Sequence, residues 1–143
     1  MKIPIRIFAL LLPLVLALGC KPRQVPDPGP PPSKYALNLH PETAALAKQW
    51  REDPLGCKKV RTAPMAEDLV AGFMKQRPSE QELIEVLGPP ELSNDYAGTR
   101  NLSYYFDATC EGGKLKPGAV YCLVTFTIGL DVNMMDSGGV VCG

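Results

Sequence analysis

The chain has 143 residues, and its 15 Lys and Arg balance 15 Asp and Glu, so the formal net charge is zero. A chain without a basic excess has no electrostatic case for nucleic acid, whose binding needs a positively charged face. The length, with 45% apolar residues, suits one domain with a modest core rather than two.

Residues 1–19 read as a targeting segment that is removed before folding. Lys2 and Arg6 form a basic start, and Phe8 to Leu18 is an apolar run broken only by Pro13. That run is shorter than the roughly 20 residues a spanning helix needs. It ends Leu16-Ala17-Leu18-Gly19-Cys20, which resembles a bacterial lipobox and makes Cys20 the expected lipidation site. Lys21 follows, and in the Gram-negative sorting rule an Asp there favours inner-membrane retention. The resemblance therefore implies a lipid anchor in the outer membrane with the chain facing the periplasm. Loss of Lys2 and Arg6 leaves the mature chain slightly acidic, with a net charge of about −2.

Residues 20–32 hold Pro22, Pro26, Pro28, Pro30, Pro31 and Pro32, a composition that excludes helix and central strand. They read as an extended tether from the lipid to a single domain over residues 33–143. In that domain Asn38 is the expected cap of a first helix, with Pro41 in its first turn and Leu39, Thr43, Leu46 and Trp50 on one face. Trp50 reads as a core anchor. Asp53-Pro54-Leu55-Gly56 is a turn, and a second helix is expected from Met65 to Met74, weakened by Gly72. A third is marked at both ends. Ser79 is the N-cap, Glu82 closes a capping box, Leu83, Val86 and Leu87 form the apolar stripe, and Gly88-Pro89-Pro90 stops it.

Beyond Pro90 the period changes to two. Leu102, Tyr104 and Phe106 alternate with Asn101, Ser103 and Tyr105, and Ala119 to Ile128 is the strongest strand, read as central. Glu111 to Gly118 reads as loop, Gly129-Leu130-Asp131 as a turn, and Val132 to Cys142 as a returning strand with a bulge at Ser137-Gly138-Gly139. The expected fold class is α+β, with N-terminal helices packed on one face of a three-stranded antiparallel sheet. If Tyr104, Phe106, Cys122, Val124 and Phe126 point inward, then Tyr105, Tyr121, Leu123 and Thr125 share the outer face. Aromatic residues there suit a partner interface.

Apart from Cys20 the mature chain holds Cys57, Cys110, Cys122 and Cys142. An even number in an exported chain predicts two disulfides. The favoured pairing is Cys110–Cys122 across a hairpin with Cys57–Cys142. The alternative is Cys57–Cys110 with Cys122–Cys142. The absence of any Cys-x-x-Cys pair, and a single histidine far from every cysteine, argue against zinc. No catalytic constellation can be assembled, since His40 stands alone at a helix entry and the paired acids sit at helix ends. Neither a cofactor nor a small-molecule substrate is expected.

The order of signal, Cys20, Pro-rich linker, helices and meander, centred on Leu87-Gly88-Pro89-Pro90, resembles the SmpA/OmlA lipoproteins. That family includes the smallest accessory lipoprotein of the outer-membrane β-barrel assembly machine, and its fold is shared with β-lactamase inhibitor proteins. Ser79 fits the Thr of the family's helix start, Leu83 its aliphatic position, and Leu87, Gly88 and Pro90 its Leu-Gly-x-Pro ending. Arg77-Pro78 departs from the family's Gly-Met. The match runs from about Ser79 to Phe126 and implies a non-catalytic envelope lipoprotein that binds a protein partner as a scaffold in outer-membrane assembly or maintenance. The inhibitor relatives imply the alternative, a module that blocks an envelope or exported enzyme.

Overall fold

The structure, a computed structural model, describes residues 38–143. The signal peptide, Cys20, the tether and the expected domain start at Ser33 lie outside the described residues. Among the described residues three helices come first: α1 (Pro41–Arg51), α2 (Ala63–Gln76) and α3 (Glu80–Leu87), with a 3-10 turn at Pro54–Gly56 between the first two. Six strands follow: β1 (Leu92–Tyr96), β2 (Thr99–Phe106), β3 (Cys110–Glu111), β4 (Lys114–Leu115), β5 (Cys122–Gly129) and β6 (Met134–Cys142). The class is α+β, with a four-stranded antiparallel sheet in the order β1-β2-β5-β6 and a separate two-stranded hairpin of β3 and β4.

The expected three-stranded sheet is thus short by one strand. β1 escaped notice because every one of its residues is exposed, so it carries no alternating apolar signal. It exists by pairing with β2 through a tight turn in which Ala97 and Gly98 both have positive φ. That is the hairpin geometry that matches strand twist, usually signalled by Asn-Gly. The segment read as loop after Cys110 holds the β3–β4 hairpin, also turned by two glycines at positive φ, Gly112 and Gly113. β5 is central, as its two partly apolar faces suggested, and Phe106 lies opposite Cys122 at the far end of the β2–β5 ladder. The bulge in β6 falls one residue earlier than expected, at Asp136, while Ser137, Gly138 and Gly139 stay in register with β5.

α1 begins at Pro41, and its N-cap is His40, which offers no side-chain bond, rather than Asn38. Proline at the first helical position fixes the entry without needing a polar cap. Asn38 lies upstream, where its carbonyl accepts from Gln76 Nε2 at 3.3 Å. α2 outruns its expected bounds at both ends, and Gly72 sits inside it for a packing reason. A Cβ there would stand 2.6 Å from Thr43 Oγ1 on α1, so the two helices approach only because the side chain is missing.

α3 follows its sequence signals closely. Glu82 N donates to Ser79 Oγ at 3.3 Å, and Ser79 N donates back to Glu82 Oε2 at 2.8 Å. The reciprocal bonds satisfy two donors that a helix start leaves orphaned. Ser79→Ala is expected to lower the unfolding free energy by about 1 kcal/mol. A shift in the urea midpoint at constant slope would register it, and an unmoved midpoint would mean that the cap carries no stability.

The core lies between the helices and the inner sheet face. Trp50, Leu69, Phe73 and Leu83 meet Leu102, Tyr104, Phe106, Val124, Phe126 and Ile128, all fully buried or nearly so. Phe73 and Tyr104 each set a ring edge-on to Phe126, at centroid distances of 5.7 and 6.0 Å. Tyr104 also donates its hydroxyl to Gly88 O at 3.0 Å, which fixes the chain just past α3 to the sheet. Burial, with the Glu91 charge behind it, pushes the Tyr104 phenol far above its ordinary pKa, so it remains a donor at any physiological pH.

Both disulfides differ from the favoured pairing and follow the alternative, Cys57–Cys110 and Cys122–Cys142. The reason is register. β2 reaches Cys122 with Phe106, so Cys110 lies beyond the end of the ladder and cannot stand across from it. Cys122 instead faces Cys142 directly on β6, with Cα atoms 4.0 Å apart. Cys110 turns toward the loop after α1 and meets Cys57.

Candidate protein-binding face

The strand alternation divides the sheet into two chemically distinct faces. Opposite the helices, β1 presents Leu92, Asn94 and Tyr96, β2 presents Thr99, Asn101, Ser103 and Tyr105, β5 presents Leu123, Thr125 and Thr127, and β6 presents Ser137, Gly139 and Val141. None of these residues carries a charge. The Arg100 ion pairs lie on the other side, where Arg100 bridges Asp95 at 2.7 Å and Glu80 at 3.1 Å. The hydrogen bond from Arg100 holds the Asp95 carboxyl below its ordinary pKa.

The middle of the outer face is polar but already paired. The Ser103 and Thr125 hydroxyls bond at 2.8 Å, and Thr127 Oγ1 donates to Asn101 Oδ1 at 2.9 Å. Cross-strand pairs of this kind hold register and leave few free groups for a ligand to recognise. One end is different. Tyr105, Leu123 and Val141 form a row across three strands, and the Tyr121 ring, just ahead of β5, lies edge-on to Tyr105 with centroids 4.7 Å apart. Partial desolvation, then the neighbouring Tyr121, raises the Tyr105 phenol pKa. Val141 is 68% exposed and Tyr121, Tyr105 and Leu123 are partly so.

All four residues named from sequence therefore fall together, with Tyr105, Leu123 and Thr125 on the outer face and Tyr121 against Tyr105. Leu92 and Val141 were missed. Leu92 belongs to the strand that has no periodic signal. Val141 was legible in principle, since two steps along β6 from Gly139 it must share that face.

Beside this face lies a buried charged cluster that sequence did not suggest. Asp53, read as a helix-end acid, is fully buried, and its carboxylate accepts from the backbone N–H of Lys58, Val60 and Arg61 at 2.7, 2.9 and 3.1 Å. Arg61 donates Nε to Trp50 O at 2.9 Å and Nη1 to Tyr105 O at 2.9 Å and to Glu91 Oε1 at 3.0 Å, with its guanidinium 4.7 Å from the Trp50 ring centre. Glu91 also accepts from Leu55 N and Tyr105 N, both at 3.1 Å. Such residue types could serve acid–base chemistry, but these polar atoms are committed to backbone, with side-chain exposures of 3% and 10% for Arg61 and Glu91. The cluster clamps the loop after α1 to the end of β2.

His40 is exposed and stands 3.9 Å from the Glu42 carboxylate at the mouth of a groove of about 630 Å³ between α1 and α2. Among the described residues Thr43 supplies the one lining hydroxyl, and it lies against Gly72. Among the described residues no group of His, Cys, Asp and Glu is placed to hold a metal ion, and no helix is long and apolar enough to cross a membrane.

Fold and face together define a small disulfide-stapled α+β domain whose sheet, among the described residues, has one helix-covered and one uncovered, uncharged face. No family model, curated protein or solved structure matches the chain.

Proposed function

We propose that the protein is a non-catalytic lipoprotein of the cell envelope, anchored through Cys20, that binds a protein partner with the outer face of its sheet. The observation that carries this reading is the uncharged row of Tyr105, Leu123 and Val141, capped by the Tyr105–Tyr121 ring pair. Aromatic residues without charged neighbours are what the centre of a protein interface is made of. The disulfides fit an oxidising, exported setting. The lipobox-like ending at Gly19-Cys20 supports the anchor, and the resemblance to SmpA/OmlA lipoproteins supports a scaffold role in outer-membrane assembly or maintenance.

The test is crosslinking capture from the membrane fraction, from which Cys20→Ser should remove the protein. Tyr121→Asp and Leu123→Asp should each reduce capture at least tenfold, the loss expected when an interface centre is truncated or charged. Their circular dichroism should stay unchanged, because both side chains lie outside the helix-packed core. Folded variants that still capture the partner would put the binding surface elsewhere. Barrel-assembly subunits in the captured set would support scaffolding. A single hydrolase, inhibited on binding, would instead support the inhibitor role.

A further inference from the structure

The two edges of the main sheet are guarded differently. β1 is five residues long and carries Asp95 in its ion pair with Arg100. β6 is guarded only over its first half. There Met135 N donates to Pro78 O at 2.7 Å, Arg77 Nε donates to Met135 O at 3.0 Å, and the bulge at Asp136 breaks the ladder. Residues 137–142 follow as Ser-Gly-Gly-Val-Val-Cys, with no charge and no proline. Charges, prolines and bulges are the usual devices that keep an edge from pairing, and this half-edge has none.

The ladder fixes which groups face outward. Gly143 N donates to Tyr121 O at 3.4 Å, which makes those two residues a hydrogen-bonded pair at the end of the β5–β6 ladder. In an antiparallel pair such positions alternate with non-bonded ones. Cys142, Val140 and Gly138 are therefore the non-bonded positions opposite Cys122, Val124 and Phe126. Their N–H and C=O groups point away from β5, and no described residue bonds to them.

We propose that this half-edge pairs antiparallel with the same half-edge of a second copy of the chain, about a twofold axis at Val140. Val140 then lies opposite Val140 of the second copy, and Gly138 opposite Cys142. Every outward N–H and C=O of these residues meets its complement, the self-matching that a twofold interface requires. The outer-face side chains fit as well. Val141 comes opposite Gly139 of the second copy, where nothing stands within 4 Å of a Cβ position, so an exposed side chain meets open space. No charge approaches its own copy. A foreign strand could satisfy the backbone, but the Val141–Gly139 match and the centring on Val140 are properties of two identical edges.

The test is sedimentation equilibrium of the full chain, extracted in density-matched detergent, for wild type, Val140→Pro and Val141→Glu. Val140→Pro removes an N–H that faces the open edge, a place where strands tolerate proline, and leaves Tyr121 and Leu123 untouched. Wild type should shift from monomer toward dimer between about 10 and about 300 micromolar, with the Gly138, Val140 and Cys142 amides gaining exchange protection over the same range. Both variants should weaken dimerisation at least tenfold, while Val140→Pro keeps partner capture by the outer face. If Val140→Pro fails to fold, Val141→Glu gives the reading alone, since that side chain is exposed. A wild type that stays monomeric, or a dimer that survives the variants, overturns the proposal without bearing on the outer face.

Discussion

Arg61→Met should destabilise the protein by about 3–5 kcal/mol, the usual penalty when one partner of a buried ion pair is removed. Three losses combine at this site. Glu91 is left with an exposure of only 10% and no cation beside it. The carbonyls of Trp50 and Tyr105 lose their donors. The Trp50 ring loses the guanidinium over its face. Since small domains are stable by roughly 5–15 kcal/mol in all, the variant should fold weakly and melt early. Arg61→Met combined with Glu91→Gln should be less damaging than the two single effects added, because a buried pair replaced on both sides leaves no orphaned charge. Urea denaturation of the four proteins gives the coupling. Additive effects would mean that Arg61 and Glu91 act independently, contrary to their 3.0 Å contact.

This cluster also marks where the sequence stops being readable. α3 is legible because its chemistry is local, a serine and a glutamate three residues apart and a Gly-Pro stop. The strands β2 and β5 are legible because burial of one face imposes a period of two on their side chains. Arg61 reaches partners 11, 30 and 44 residues away, and no spacing announces such a set. Asp53 was misplaced for a related reason. An acid after a helix and before Pro-Leu-Gly looks like a turn residue, yet its carboxylate organises the whole loop to Arg61 from inside. The loop is held close to the sheet by Gly56, at φ +68, where a Cβ would stand 2.6 Å from the Phe106 Cα. The outer face was readable at β2 and β5, whose inner sides are buried. It was unreadable at β1, which buries neither side and so leaves no pattern.

The disulfide pairing can be decided by digestion of the unreduced protein, which should yield Cys57 joined to Cys110 and Cys122 joined to Cys142. A peptide joining Cys110 to Cys122 would contradict the β2–β5 register itself, because it requires Cys110 to replace Phe106 opposite Cys122. The two bridges should also differ in what they contribute. Cys57–Cys110 spans 53 residues and Cys122–Cys142 spans 20. In the chain-entropy model, closing loops of those lengths stabilises by about 4 and about 3 kcal/mol respectively. Paired Cys57→Ala/Cys110→Ala replacement should therefore cost more than Cys122→Ala/Cys142→Ala. The first bridge ties the helical half to the end of β2, whereas the second joins strands whose ladder already holds them together. Removal of both should consume about 7 kcal/mol, most of the stability of a domain this size. The reduced chain should accordingly unfold in native buffer, with loss of near-ultraviolet circular dichroism. A reduced protein that stays folded would show that the Arg61–Glu91 cluster and the core suffice without either bridge.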